Sequence, residues 1–153
     1  MKTTGIIVAG LPGLEWMTEN LSGFGGTEVG GHTYYTYGEA VAAVKALGGG
    51  WRLPARGEML DLDNLGSEWQ ENGPHGLPGR LFGGGLFIPA AGYRNGTGAL
   101  ANVGTEGDCW SSSSGVSGSY YAALLYFYTG SVDPLNGWCR ASASSVRCVR
   151  NVK

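Results

Sequence analysis

The clearest hydrophobic pattern in the chain lies in "TYGEAVAAVKALGGG", residues 36–50, where Ala40, Val41, Val44 and Leu47 recur at helical spacing among polar and small residues. This predicts a helix over 37–47. Thr36 and Glu39 make a capping-box pattern at its start, and Gly48 suits the left-handed position past its end. A second helix follows Pro54: "ARGEMLDLDNLG" places Met59, Leu62 and Leu65 along one stripe and stops at Gly66, although Ala55 offers no side-chain oxygen for a cap. Between the two, Trp51 and Leu53 alternate with Arg52 in a short extended link, with Trp51 as a core anchor. Residues 66–85 are dense in Gly and Pro and read as a long packed loop over Trp69, Leu77, Leu81 and Phe82. Beyond it, apolar runs bounded by turn residues mark short strands at 86–93, 108–114, 120–128, 131–133 and 144–150. Two early helices followed by short strands predict an α+β fold with a small antiparallel sheet, in one domain spanning 1–153.

Composition adds that the chain is loop-rich without being disordered: there are 29 Gly and only 14% charged residues, but 11% aromatics spread over the whole length. A formal net charge of −2 and scattered arginines give no pull toward nucleic acid or an anionic membrane, and no segment is long and apolar enough to span a bilayer. The apolar start of the chain is broken by Gly10, Pro12 and Gly13, so no signal peptide is visible, and work outside a cell would need another route such as a phage particle. Three cysteines without CxxC spacing signal neither a disulfide framework nor a zinc site. Cys148 in "SVRCVR" reads as a small buried hydrophobe, whereas polar and aromatic neighbours place Cys109 and Cys139 near the surface.

Motifs for catalysis fail on their own terms. "GFGGTEVGG" (23–31) has Glu28 where a dinucleotide loop needs its third Gly. "SSSSGVSGS" has Ser119 where a nucleophile elbow around Ser117 needs Gly. His32 and His75 sit in Gly-rich contexts without metal-ligand spacing and read as loop hydrogen-bonding residues. Asp61 and Asp63 point to different helix faces, unlike a paired acid and base. Asn95-Gly96-Thr97 matches a glycosylation acceptor, which matters only in a eukaryotic secretory setting. The lone Asp133–Asn136 stretch makes no calcium site. No catalytic residue, metal or cofactor is expected.

Taken in order, "GLEWMTENL", "TYYTYGEAVAAV", "GGGWRLPARGEM", "FIPAAGYR", "CWSSSS" and "SVRCVR" resemble the C-type-lectin-like bacterial domain of the Fibrobacter major paralogous family and of variable proteins from diversity-generating retroelements of gut bacteria and their phages. The resemblance spans almost the entire chain. It implies a C-type-lectin-like fold, two helices packed on a small twisted antiparallel sheet with long Gly-rich loops. In such retroelements a reverse transcriptase copies a template repeat with errors at adenines, so that AAC codons become NNC, and the copy replaces the end of the target gene. Residues 105–144 then separate into two interleaved sets. Trp110, Ser111, Ser112, Leu125, Phe127, Val132, Pro134, Arg140 and Ala141 look like scaffold.

The other set, reachable as NNC codons, is Asp108, Cys109, Tyr120, Leu124, Tyr126, Tyr128, Ser131, Asp133, Leu135, Asn136, Gly137, Cys139 and Ser142. Trp138 joins it as an anchor candidate, although neither Trp138 nor Glu106 has an NNC codon. Strand alternation would turn Leu125 and Phe127 inward and Leu124, Tyr126 and Tyr128 outward. The expected function is binding of an unknown macromolecule, a surface protein or glycan, by a hypervariable surface on a phage tail fibre or bacterial cell. Two alternatives stand beside it: a fixed-specificity adhesin or lectin domain of the same fold, and an oxidase of the formylglycine-generating type, for which Cys109 and Cys139 would supply the cysteine pair.

Overall fold

In a computed structural model, which describes residues 4–112 and 120–152, two α-helices and thirteen short strands succeed one another. They run β1 (Gly5–Ile6), β2 (Leu14–Met17), β3 (Thr27–Val29), β4 (His32–Tyr34), α1 (Tyr37–Leu47), α2 (Arg56–Asn64), β5 (Ser67–Gln70), β6 (Gly79–Phe82) and β7 (Leu86–Pro89). There follow β8 (Tyr93–Arg94), β9 (Leu100–Ala101), β10 (Glu106–Trp110), β11 (Tyr121–Tyr128), β12 (Val132–Cys139) and β13 (Val149–Asn151). They form five small antiparallel sheets: β1-β2-β13, β3-β4, β5-β6-β7, β8-β9 and β10-β11-β12.

This corrects the α+β expectation: with 42% strand against 16% helix, the chain is mostly β. The physical reason lies in strands of two to four residues, too short to display an alternation in sequence. Residues 66–85 show it best. The expected loop contains β5 and β6, which pair with β7. Gly79 belongs there because a Cβ would lie 2.2 Å from the Ile88 carbonyl oxygen, so glycine lets β7 approach rather than ending the strand. Likewise β12 extends well past the expected 131–133, despite Pro134, Asn136 and Gly137. Of the expected strand at 144–150, only its end lies in β13. The stretch before it is extended and bonds to several neighbours, through Tyr35 N–H to the Ser144 carbonyl (2.8 Å), Leu21 N–H to Val146 (2.8 Å) and Met17 N–H to Cys148 (2.9 Å).

Both helices form where the pattern puts them. At the start of α1, the Thr36 hydroxyl accepts from Glu39 N–H at 3.2 Å and the Glu39 carboxylate accepts from Thr36 N–H at 2.9 Å. Replacing Thr36 by Ala removes one arm of this box and should cost about 1 kcal/mol, read as a fall in urea midpoint at unchanged m-value. The buried face of α1 is Ala40 and Ala43, while Val41 is exposed, so the stripe is rotated from the expected one. Small residues there let α1 sit close to Trp51, Leu53 and Trp110. At α2 the missing Ala55 side-chain cap is offset by Glu58, whose carboxylate accepts from Ala55 N–H (2.8 Å) and from both arms of Arg52 (2.7 Å each). Trp51 is buried as expected, with the Arg150 guanidinium 4.3 Å above its ring.

The central sheet β10-β11-β12 is covered on both faces along much of its length. On one side Cys109, Leu125 and Phe127 join Met59 and Leu62 of α2; on the other Trp110, Ala122 and Leu124 join Ala40 and Ala43 of α1. β11 is the middle strand and therefore reads as a nearly continuous apolar run, "YAALLYFY". Tight packing shows at Gly107, where a Cβ would fall 2.1 Å from the Phe127 ring.

Candidate ligand-binding surface

The covering of the second sheet face ends beyond Leu124, and the surface of interest begins there. Glu106, Asp108 and Trp110 of β10 face Tyr128, Tyr126 and Leu124 of β11 in register, so all six project from one side of the sheet. Trp110 and Leu124 lie under α1, whereas Tyr126 is half-buried and Tyr128 exposed, with ring centroids of the two tyrosines 5.8 Å apart. Next to them β12 carries a bulge. Leu124 pairs with Asn136 but Tyr126 pairs with Asp133, so β12 has one more residue than β11 over this span. Pro134 occupies this irregular stretch, where its lack of an N–H is tolerated, and the Asp133 carboxylate accepts from Leu135 N–H at 3.0 Å. The bulge thereby turns Asp133 and Leu135 outward while Pro134 stays buried.

The predicted site residues divide into three groups. Tyr120 (77% exposed), Tyr128, Ser131, Asp133, Leu135 and Trp138 are exposed. Tyr126, Asn136, Gly137 and Cys139 are half-buried. Asp108, Cys109, Leu124 and Ser142 are buried, which corrects the expectation that they contribute to a surface. Leu124, at 1% exposure, faces α1 because β11 is covered on both sides where it passes that helix. Cys109 points to the opposite face, into the cluster under α2, and burial pushes its thiol up to about 12. Ser142 is enclosed where the chain turns back inward beside the Arg94–Ala143 bridge. Among the residues read as scaffold, Ser112 and Ala141 are exposed, while Arg140 donates to the Tyr121 carbonyl at 2.8 Å and covers the Tyr37 ring at 4.9 Å. The stretch around Ser117 lies outside the described residues.

Asp108 is the unusual member. It shares a side-chain hydrogen bond with Glu106, its Oδ2 meets no partner among the described residues, and burial followed by the Glu106 carboxylate holds its pKa well above the ordinary range. Asp108 thus keeps its proton to higher pH than an ordinary carboxyl, because burial and the neighbouring Glu106 both disfavour its charged form. Glu106 in turn accepts from Asn102 Nδ2 at 2.6 Å, with Asn102 in the left-handed region at φ 59°. Burial, then Glu106 and Asp108, raise the Tyr126 phenol pKa as well, so it stays a hydrogen-bond donor.

A cavity of about 470 Å³ opens here, walled by Trp69, Glu71, Asn102, Glu106, Tyr126 and Tyr128. The Trp69 indole N–H donates to Glu71 at 3.0 Å. On the same face of the sheet the exposed Trp138 packs edge-on against Tyr93, with centroids 5.5 Å apart. Trp69, Glu71, Tyr93 and Asn102 are not legible as site residues in the sequence, where Trp69 stands only as a packing residue, because they come from elements remote in the chain and no local pattern ties them to β11. Rigid rings beside carboxylates, hydroxyls and an amide provide both apolar contact area and directional polar contacts for a ligand.

Among the described residues, no helix is long and apolar enough to cross a membrane, and no group of three His, Cys, Asp or Glu converges. Comparison of the chain with protein-family models, curated proteins and solved structures gives no match.

Proposed function

We propose that this chain is a binding protein rather than an enzyme, a variable protein of the kind made by diversity-generating retroelements, whose β11–β12 surface holds a surface protein or glycan. Display on a phage tail fibre or a bacterial cell is part of the proposal. The observation that carries it is the distribution of exposed side chains. Tyr120, Tyr121, Tyr128, Leu135 and Trp138 are all exposed within one short stretch, while Trp110, Leu125 and Phe127 between and beneath them are fully buried. Outward positions can change there at little cost in stability, because the contacts that fix the strands lie below them. Tyrosines beside Ser, Gly and Asn also match the composition of adaptable paratopes.

The oxidase reading finds no such support. Cys109 pairs with Leu125 and Cys139 with Tyr121, so the two thiols are two strands and four β11 residues apart, about 13 Å along the sheet alone. That is too far for a cysteine pair acting together.

Sequencing the gene across related isolates tests the proposal. Changes are expected at Tyr120, Tyr126, Tyr128, Ser131, Asp133, Leu135, Asn136, Gly137 and Cys139, with Trp110, Leu125 and Phe127 unchanged and a near-identical template repeat beside a reverse transcriptase gene. Changes scattered over the whole chain would overturn it, and invariance at all these positions would leave a fixed-specificity adhesin.

A further inference from the structure

We propose a second binding site, separate from the β11–β12 surface, in which Arg147 holds the carboxylate or phosphate group of a small organic anion. The site is a cleft of about 770 Å³ between the segment after β2, the β3–β4 turn and the turn at 74–76. None of its lining residues belongs to the region proposed to vary.

Arg147 lines this cleft while being only 1% exposed. Its Nε donates to Asn20 Oδ1 at 2.9 Å, and its Nη1 to the carbonyls of Phe87 (3.0 Å) and Met17 (3.3 Å). These acceptors are neutral. No carboxylate lies within ion-pair distance of Arg147 among the described residues, and Nη2 has no acceptor among them. A buried guanidinium without a counter-ion is costly, and the three bonds to Nε and Nη1 fix its plane. Glu19 is engaged by His75 across the cleft and acts on Arg147 only from beyond ion-pair distance. An oxyanion group suits the free Nη2 edge, since a planar guanidinium presents fixed donors to carboxylate or phosphate. Ser22, Thr33 and Phe87 also line the cleft, and the volume exceeds that of an inorganic ion, which indicates an anionic group carried on a larger organic body.

The test is titration of the whole protein with sodium phosphate and with sodium acetate, against sodium chloride at matched ionic strength, followed by NMR and thermal unfolding. The expected result is saturable shifts of the Arg147 guanidinium and of the Thr18, Asn20 and His75 amides, with β11 and β12 signals unmoved. Tm should rise by about 5 °C at about a hundredfold excess over Kd. Whichever of the two anions binds more tightly identifies the group. Ser22→Phe, which puts a ring at a lining position that makes no hydrogen bond to Arg147, should weaken binding about tenfold, a difference of about 1.4 kcal/mol. Absence of a saturable shift with either anion overturns the proposal, as do shifts mapping elsewhere or binding unchanged in Ser22→Phe. Either failure leaves the β11–β12 reading untouched, because the two sites share no residue.

Discussion

Replacing Leu124 by Asn should destabilise the protein by about 3 kcal/mol or more, whereas the same replacement at Tyr128 should cost less than about 1 kcal/mol. Both residues lie on the same side of β11 and both read as variable, so the contrast isolates what the neighbours do. Leu124 packs in the cluster that joins α1 to the central sheet, and Asn there would leave a cavity and bring an amide with no partner. Tyr128 is exposed and loses chiefly its contact with Tyr126. For a chain of this length the Leu124 change corresponds to a fall in Tm of about 6–12 °C, measurable by calorimetry. Equal effects at the two positions would mean that the sheet is not covered by α1 as described.

Asp108→Asn should do the opposite and stabilise the protein, by about 2 kcal/mol or more at pH 8. The sign follows from linkage. The raised pKa means that the folded state keeps the Asp108 proton to higher pH, while the unfolded chain releases it above the ordinary value of 3.8. Between that value and the raised folded pKa the native state binds more protons than the unfolded state, so stability falls as pH rises. Below 3.8 both states are protonated and the group contributes no slope. Asn mimics the neutral acid, with an amide N–H to donate to Glu106, and does not titrate. Urea unfolding of both proteins from pH 4 to pH 9 would show the wild-type stability declining more steeply than that of the variant. Parallel profiles would mean that Asp108 is ionised in the fold.

Where sequence and structure agree, the signal was local. Thr36, Glu39 and Gly48 frame α1 because caps involve backbone groups within a few residues of one another. Leu125 and Phe127 were legible as buried because a Leu or Phe inside an apolar run rarely has anywhere else to go. What escaped was non-local. Leu124 and Cys109 are buried by helices from different parts of the chain, and period-2 alternation carries no information on whether the second face of a sheet is covered. Residues 67–70 and 79–82 form strands although the Gly and Pro content of the segment argues against it, since Gly79 is needed for the approach of β7. The cavity at Tyr126 and Tyr128 was half visible: its tyrosines stood out, while Trp69 and Asn102 arrive there only through the fold.

The bulge in β12 bears on how such a surface stays soluble. β12 is an edge strand, and an edge bearing exposed tyrosines and a tryptophan is an invitation to strand addition and aggregation. Pro134 cannot donate to an incoming strand, and the Asp133 carboxylate already occupies the amide of Leu135. The middle of the edge is thus closed to backbone pairing by Pro134, which lies outside the set expected to change, and by Asp133 wherever that position keeps a side-chain acceptor. Side chains around it can be exchanged for sticky ones without turning neighbouring copies into a fibre.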